Sequence, residues 1–193
     1  MHATELPKPF HRDGWVYEEK YDGWRMVAEK VSNQVRLTSR NGLDHTKRFP
    51  EVVKAVEELD APSLIIDGEI AIFDRQLISR FEWLRARPRN EVATPPIYMV
   101  FDLLDLGGED LRTRPLRERR QALEQLAADC QLVMPTRRLP ANGLKAWEEV
   151  LRGNYEGMVA EDPTSAYTPG RTLSWLKVKQ RGYRQEARRF DQR

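Results

Sequence analysis

The sequence predicts an α+β chain, and three observations lead to it. Period-two alternation of apolar and polar residues recurs from Trp15 to Lys179. An Asp22-Gly23 pair stands between two such runs, a hairpin signal because glycine accepts the positive φ of a tight turn. Apolar stripes of helical spacing follow Pro50 and Pro115. With 193 residues the chain can bury one substantial core or two small ones.

Taken in order, Trp15, Tyr17 and Glu19 alternate with Val16, Glu18 and Lys20, and Trp24, Met26 and Ala28 follow the turn. Glu18 and Lys20 therefore share a strand face near the mouth of the expected hairpin. A lysine there is either a solvated strand-end charge or a nucleophile. Val35 and Leu37 alternate with Arg36 and Thr38 in the next strand, and Ser39-Arg40-Asn41-Gly42 turns with Gly42 in a left-handed conformation. Arg40 is then an exposed turn residue or a fork for a phosphate. Pro50 opens a helix with Val52, Val53, Val56 and Leu59 inward.

From Ser63 to Phe73, Ile66, Gly68, Ile70 and Ile72 share one strand face, and Asp67, Glu69 and Ala71 the other. Carboxylates about 7 Å apart on one face cannot cheaply point into a core, so they are solvated or in use. Phe81, Trp83 and Leu84, with Arg80, Arg85, Arg87 and Arg89, form a short helix ending before Pro88, whose basic side is a nucleic-acid face or a solvated one. Ile97 to Asp105, including Phe101, is a strand buried on both faces, closed by the turn Asp105-Leu106-Gly107-Gly108. The helix after Pro115 turns Leu116, Leu123, Leu126 and Ala127 inward and leaves Arg117, Arg119 and Arg120 solvated. Asn142 caps a further helix with Leu144, Trp147, Val150 and Leu151 inward. Pro169-Gly170-Arg171 presents an arginine. Trp175, Lys177 and Lys179 then alternate with Leu176 and Val178, setting two ammonium groups on one face, where they repel unless an anion lies between them.

Composition narrows the function classes. Lys plus Arg number 32 against 30 Asp plus Glu, a net charge of +2, so only local basic clusters argue for nucleic acid. The single Cys130 excludes an internal disulfide framework and fits a reducing compartment. His2, His11 and His45 are scattered and give no zinc spacing, and no Gly-rich loop ends in Gly-Lys-Ser/Thr. No apolar run approaches the roughly 18 residues of a membrane span, and residues 2–11 carry no signal core. The expectation is a soluble, cytoplasmic protein with no membrane partner.

Lys20-Tyr21-Asp22-Gly23-Trp24-Arg25 resembles the nucleotidyltransferase motif of ATP-dependent DNA ligases, whose lysine carries AMP. Further motifs follow in the family's order: Arg40-Asn41-Gly42, Asp67-Gly68-Glu69, Phe101-Asp102, Glu156-Gly157-Met158-Val159-Ala160 and Leu176-Lys177-Val178-Lys179. The run through Phe49-Pro50-Glu51 resembles the bacterial end-joining branch. The resemblance implies an α+β nucleotidyltransferase fold, antiparallel sheets flanked by helices with the nucleotide between them; most such ligases continue into an oligonucleotide-binding barrel, for which residues 180–193 are too short, so no barrel is expected here. It implies ATP, with AMP linked to Lys20, and Mg²⁺ or Mn²⁺, with Glu69 and Glu156 as metal or ribose partners whose oxygens suit such ions. Glu18 would accept from the adenine amino group, Phe101 would stack on the ring, and Lys177 and Lys179 would hold the α-phosphate. Arg25 and those lysines would ease deprotonation of Lys20, and Asp22 would oppose it.

The domain boundaries expected are 1–179 for an adenylation domain and 180–193 for a basic tail. Arg40, Arg171, Arg181, Arg184, Arg188 and Arg189 are the candidate contacts to nicked or broken DNA, and a partner protein is one source of a barrel. Glu161 stands where many bacterial members have lysine, which is expected to weaken phosphate binding. The function implied is a stand-alone adenylation domain of a DNA ligase that seals strands in repair. An RNA ligase, an RNA 3′-end adenylating enzyme, or a non-catalytic nucleotide- or DNA-end-binding module are the alternatives.

Overall fold

The computed structural model describes residues 1–86, 91 and 93–183. Among them, no helix is long and apolar enough to cross a membrane. Two sheets carry the fold. The smaller holds β1 (His2–Glu5), β10 (Arg171–Lys179), β9 (Gly157–Glu161) and β2 (Val16–Lys20), in that order. The larger runs β4 (Gln34–Ser39), β3 (Trp24–Val31), β5 (Ser63–Ala71), β6 (Ile97–Leu106) and β7 (Glu109–Asp110), with β8 (Val133–Pro135) also on β6. The helices are α1 (Pro50–Glu57), α2 (Phe81–Arg85), α3 (Leu116–Leu126) and α4 (Gly143–Gly153).

The α+β class is what the sequence predicts, and most ladders are antiparallel. Two are not: β1 lies parallel to β10, and β8 parallel to β6, so both sheets are mixed. The expected hairpin at Asp22-Gly23 does not form. β2 pairs with β9 in one sheet and β3 with β4 and β5 in the other, so Tyr21, Asp22 and Gly23 are a crossover between sheets. Gly23 is required for close approach: a Cβ there would lie 2.4 Å from the Ile70 carbonyl oxygen and 2.9 Å from Glu69 Cγ. Gly42 does adopt the left-handed conformation, at φ 77°.

Each sheet buries its apolar face under helices. Met26, Leu37, Ile66, Ile70 and Val100 pack with Val52 and Val56 of α1, Trp83 and Leu84 of α2, and Leu123 and Ala127 near α3. Tyr17, Met158, Ala160, Leu176 and Val178 pack under Ala146 and Val150 of α4. Asn142 caps α4 as expected, accepting from the amides of Leu144 and Lys145. Leu144 and Leu151, expected inward, are 50% exposed. Val150 is buried as expected and Trp147 packs on the same core, but the rest of the buried stripe is Gly143 and Ala146, with Gly143 pressed close to Phe10 and Tyr17. Arg119 and Arg120, expected on a solvated face, are 0% and 3% exposed. Each is drawn in by a buried carboxylate, Asp102 of β6 and Glu18 of β2 respectively, while Arg117 stays exposed. Arg87 and Arg89 lie outside the described residues.

Candidate active site

The two sheets turn their polar faces toward each other across a cleft of about 250 Å³. Strand alternation explains its lining. With Tyr17 in the core, Glu18 and Lys20 of β2 face the cleft, and with Leu176 and Val178 in the core, Trp175 and Lys177 of β10 do so. Arg25, Glu69 and Phe101 line it from the larger sheet, Val159 and Glu161 from β9, Arg171 from the start of β10, and Arg40 from a turn.

Lys20 is the centre of the charge pattern. Its Nζ lies 2.5 Å from Glu156 Oε2 and donates to the Tyr21 carbonyl at 3.3 Å. The other oxygen of Glu156 is 3.3 Å from Lys179 Nζ. Burial, the largest influence, favours the neutral amine, but Glu156, Glu69 and Asp22 reverse it, and the pKa of Lys20 ends above the ordinary value. Among protein groups, then, the carboxylates outweigh the cations expected to activate this amine. Burial also acts to raise Glu156, yet Lys20 and Lys179 hold it below the usual carboxylate range. Glu69 accepts from the Gly23 amide at 2.9 Å, and burial keeps its carboxyl above the ordinary range despite Lys20. The Asp22 amide donates to Ser79 Oγ at 2.8 Å, fixing the crossover.

Lys177 and Lys179 share a face as predicted, and each has its own anion: Glu5 at 3.5 Å for Lys177, Glu156 for Lys179. Burial, with Lys179 and Lys20 nearby, holds the Lys177 pKa below the ordinary value. Asp67 takes the fork of Arg25, with Nε to Oδ1 at 3.0 Å and Nη2 to Oδ2 at 2.5 Å. Tyr167 donates to Asp67 at 2.8 Å, and the Arg25 guanidinium lies 5.3 Å above the Phe101 ring. Asp67 and Glu69 are thus both in use at the cleft. Phe101 packs edge-on against Trp175, with centroids 5.6 Å apart. Glu18 is engaged by Arg120 and by the Thr136 hydroxyl. Arg181 lies in a neighbouring depression with Glu156, Lys179 and Tyr183, while Arg184, Arg188 and Arg189 lie outside the described residues.

Glu69 and Glu156 present oxygen donors on either side of Lys20. Among the described residues no three metal-ligating side chains come together. A divalent ion held by this pair would draw its other ligands from phosphate oxygens and water, as Mg²⁺ commonly does. The residues fit an ion bound together with a phosphorylated ligand.

The family described as "ATP dependent DNA ligase domain" matches residues 2–179. The chain belongs to that family.

Among its relatives, the multifunctional non-homologous end joining DNA repair protein LigD of Mycobacterium tuberculosis H37Rv is 34% identical over 166 residues, covering 86% of this chain and 21% of LigD. The SPbeta prophage-derived DNA ligase-like protein LigB of Bacillus subtilis is 30% identical over 181 residues, covering 92% of this chain and 66% of LigB. The chain thus spans about a fifth of the length of the LigD proteins it matches. The ligase domain of M. tuberculosis LigD superposes with a TM-score of 0.76 at 32% identity, covering 92% of this chain and 59% of that one. Mycobacterial DNA ligase D complexed with ATP and MES gives 0.74 at 30%, covering 92% and 60%. The fold is that of a DNA ligase adenylation domain, and no barrel is present among the described residues.

Within this ligase-family cleft, several residues escaped the sequence reading: Arg120, Thr136, Tyr167 and His2, whose Nδ1 lies 3.3 Å from Arg25. Arg120 had a signal, since it falls one position from Arg119 beside the apolar stripe of α3. Thr136 and Tyr167 sit in irregular segments with no periodicity to mark them.

Proposed function

We propose that residues 1–179 act as a self-sufficient adenylation domain of an ATP-dependent DNA ligase, with residues 180–193 a basic tail along the DNA backbone. The observation that carries the reading is Lys20, half-buried at the cleft between two sheets and joined through Glu156 to Lys179. The Nζ lone pair attacks the α-phosphorus of ATP, the bond to the bridging oxygen breaks, and pyrophosphate leaves. AMP remains on Lys20 as a phosphoramidate. It passes to a DNA 5′-phosphate, and a 3′-hydroxyl then displaces it to seal the strand.

The chain's own residues set the terms. Removing a proton from an ordinary lysine at pH 7 costs about 4 to 5 kcal/mol, and Glu156 adds to that cost. Lys177 and Lys179 stabilise charge on the α-phosphate, Phe101 and Val159 form the walls for the base, and Arg40 and Arg171 meet phosphates at the rim. A divalent ion at Glu69 and Glu156 would neutralise phosphate charge.

Sealing assays on nicked DNA, pre-adenylated nicked DNA and nicked RNA test this. Joining of DNA, faster from the pre-adenylated nick, supports the reading. Preferred joining of RNA would make the chain an RNA ligase, and nucleotide binding with no adenylyl transfer would make it a binding module.

A further inference from the structure

Beside Lys20, the cleft holds a second charge cluster, which starts at Glu18 two residues away on the same face of β2. Glu18 occupies the fork of Arg120, with Nη2 3.1 Å from Oε1 and Nη1 3.3 Å from Oε2, and the Thr136 hydroxyl donates to Oε2. Arg120 Nε also donates to Glu124 at 3.0 Å, and Arg138 reaches the same Glu124 oxygen at 2.9 Å. Asp102 takes both arms of Arg119, at 2.7 and 2.8 Å. The remaining carboxyl is Glu161. It is 3% exposed, lines the cleft, and among the described residues makes no side-chain hydrogen bond or ion pair.

The groups acting on Glu161 from the packed elements are Glu18 of β2, Arg119 and Arg120 of α3, and Asp102 of β6. With Glu124, four carboxyls thus share three guanidiniums, counting Arg138, and Glu161 is the one left over. Trp175 stands directly across from it on β10. Its indole Nε1 is buried, also without a partner, and Trp175 lines the same cleft. Two unpartnered polar groups beside an aromatic wall point to a polar, flat ligand.

We propose that Glu161 is a specificity-determining residue that reads the purine edge of the bound nucleotide as an uncharged carboxyl. The hydroxyl donates to a ring nitrogen of adenine while the carbonyl oxygen accepts from the adjacent amino group. An ionised carboxylate can only accept, so it loses one bond and repels the ring nitrogen's lone pair. Burial, then the charge of Glu18, favour the protonated form, against the pull of Arg120. The inference rests on the nucleotide reading of the cleft. It also reverses the expectation that Glu161 weakens phosphate binding, since the groups acting most strongly on it are Glu18, Arg120, Asp102 and Arg119.

Displacement of a fluorescent ATP analogue by adenosine tests it, because adenosine has no phosphate to titrate. For the wild-type chain, adenosine affinity falls about tenfold between about pH 6 and about pH 9, the size of one base-edge pair. Glu161→Gln, isosteric and permanently uncharged, with an amide NH₂ to donate and a carbonyl oxygen to accept, keeps the affinity and loses the pH dependence. Glu161→Ala binds weakly at both pH values. Analogue binding that adenosine cannot displace, or an equal pH dependence in Glu161→Gln, would overturn this inference and leave the nucleotide reading standing. No binding of the analogue at all would overturn the nucleotide reading itself.

Discussion

Glu156 joins Lys20 to Lys179: one carboxylate oxygen is 2.5 Å from the first ammonium and the other 3.3 Å from the second. The pair of contacts couples the proposed nucleophile to a proposed phosphate ligand across β2, β9 and β10.

Glu156→Gln follows from that coupling. Burial lowers the Lys20 pKa, and Glu156 is the foremost group raising it. Removing its charge therefore lowers that pKa, and the limb of self-adenylation that rises with pH moves to lower pH. The maximal rate also falls, because an oxygen donor for the phosphate-bound ion is lost. Single-turnover rates of lysyl-AMP formation across pH measure both. An unmoved limb would show that Glu156 does not control Lys20.

Lys179→Ala separates chemistry from DNA binding. If Lys179 stabilises charge on the α-phosphate, adenylation slows by about a hundredfold or more. The salt slope of DNA binding changes by less than one phosphate contact. A slope lower by about one unit with adenylation intact would place Lys179 on the DNA surface.

Stability should respond to Glu19. Burial, only partly opposed by Arg137 at 3.7 Å, pushes its carboxyl up to about 7. The folded chain then holds this proton more tightly than the unfolded chain. That stabilisation is complete below about pH 4.5 and is lost as pH rises through about 7, about 3 kcal/mol in all. Glu19→Gln removes the loss, so the variant should gain on the wild type in urea unfolding between about pH 5 and about pH 8. A difference that is constant across pH would exclude this titration.

The strands, their faces and the motif residues were legible because alternation is a local property: Tyr17 in and Lys20 out are written in the spacing. The sheet each strand joins is not local. Asp22-Gly23 carries the same residues for a hairpin turn and for a crossover, and only the Ile70 carbonyl pressed on Gly23 distinguishes them. Arg119 and Arg120 were misread for a related reason. An arginine beside a helical apolar stripe looks solvated until its carboxylate, Asp102 or Glu18, arrives from a distant strand. The parallel placement of β1 on β10 likewise joins the two ends of the described chain, where no short-range signal exists.

The central claim is that Lys20 carries AMP, and intact mass spectrometry after incubation with ATP and Mg²⁺ or Mn²⁺ tests it most directly, with peptide mapping of the product. A single adenylyl adduct on the peptide containing Lys20, absent from Lys20→Ala, is the expected result. No adduct under any metal condition, or one that persists in Lys20→Ala, would contradict the account.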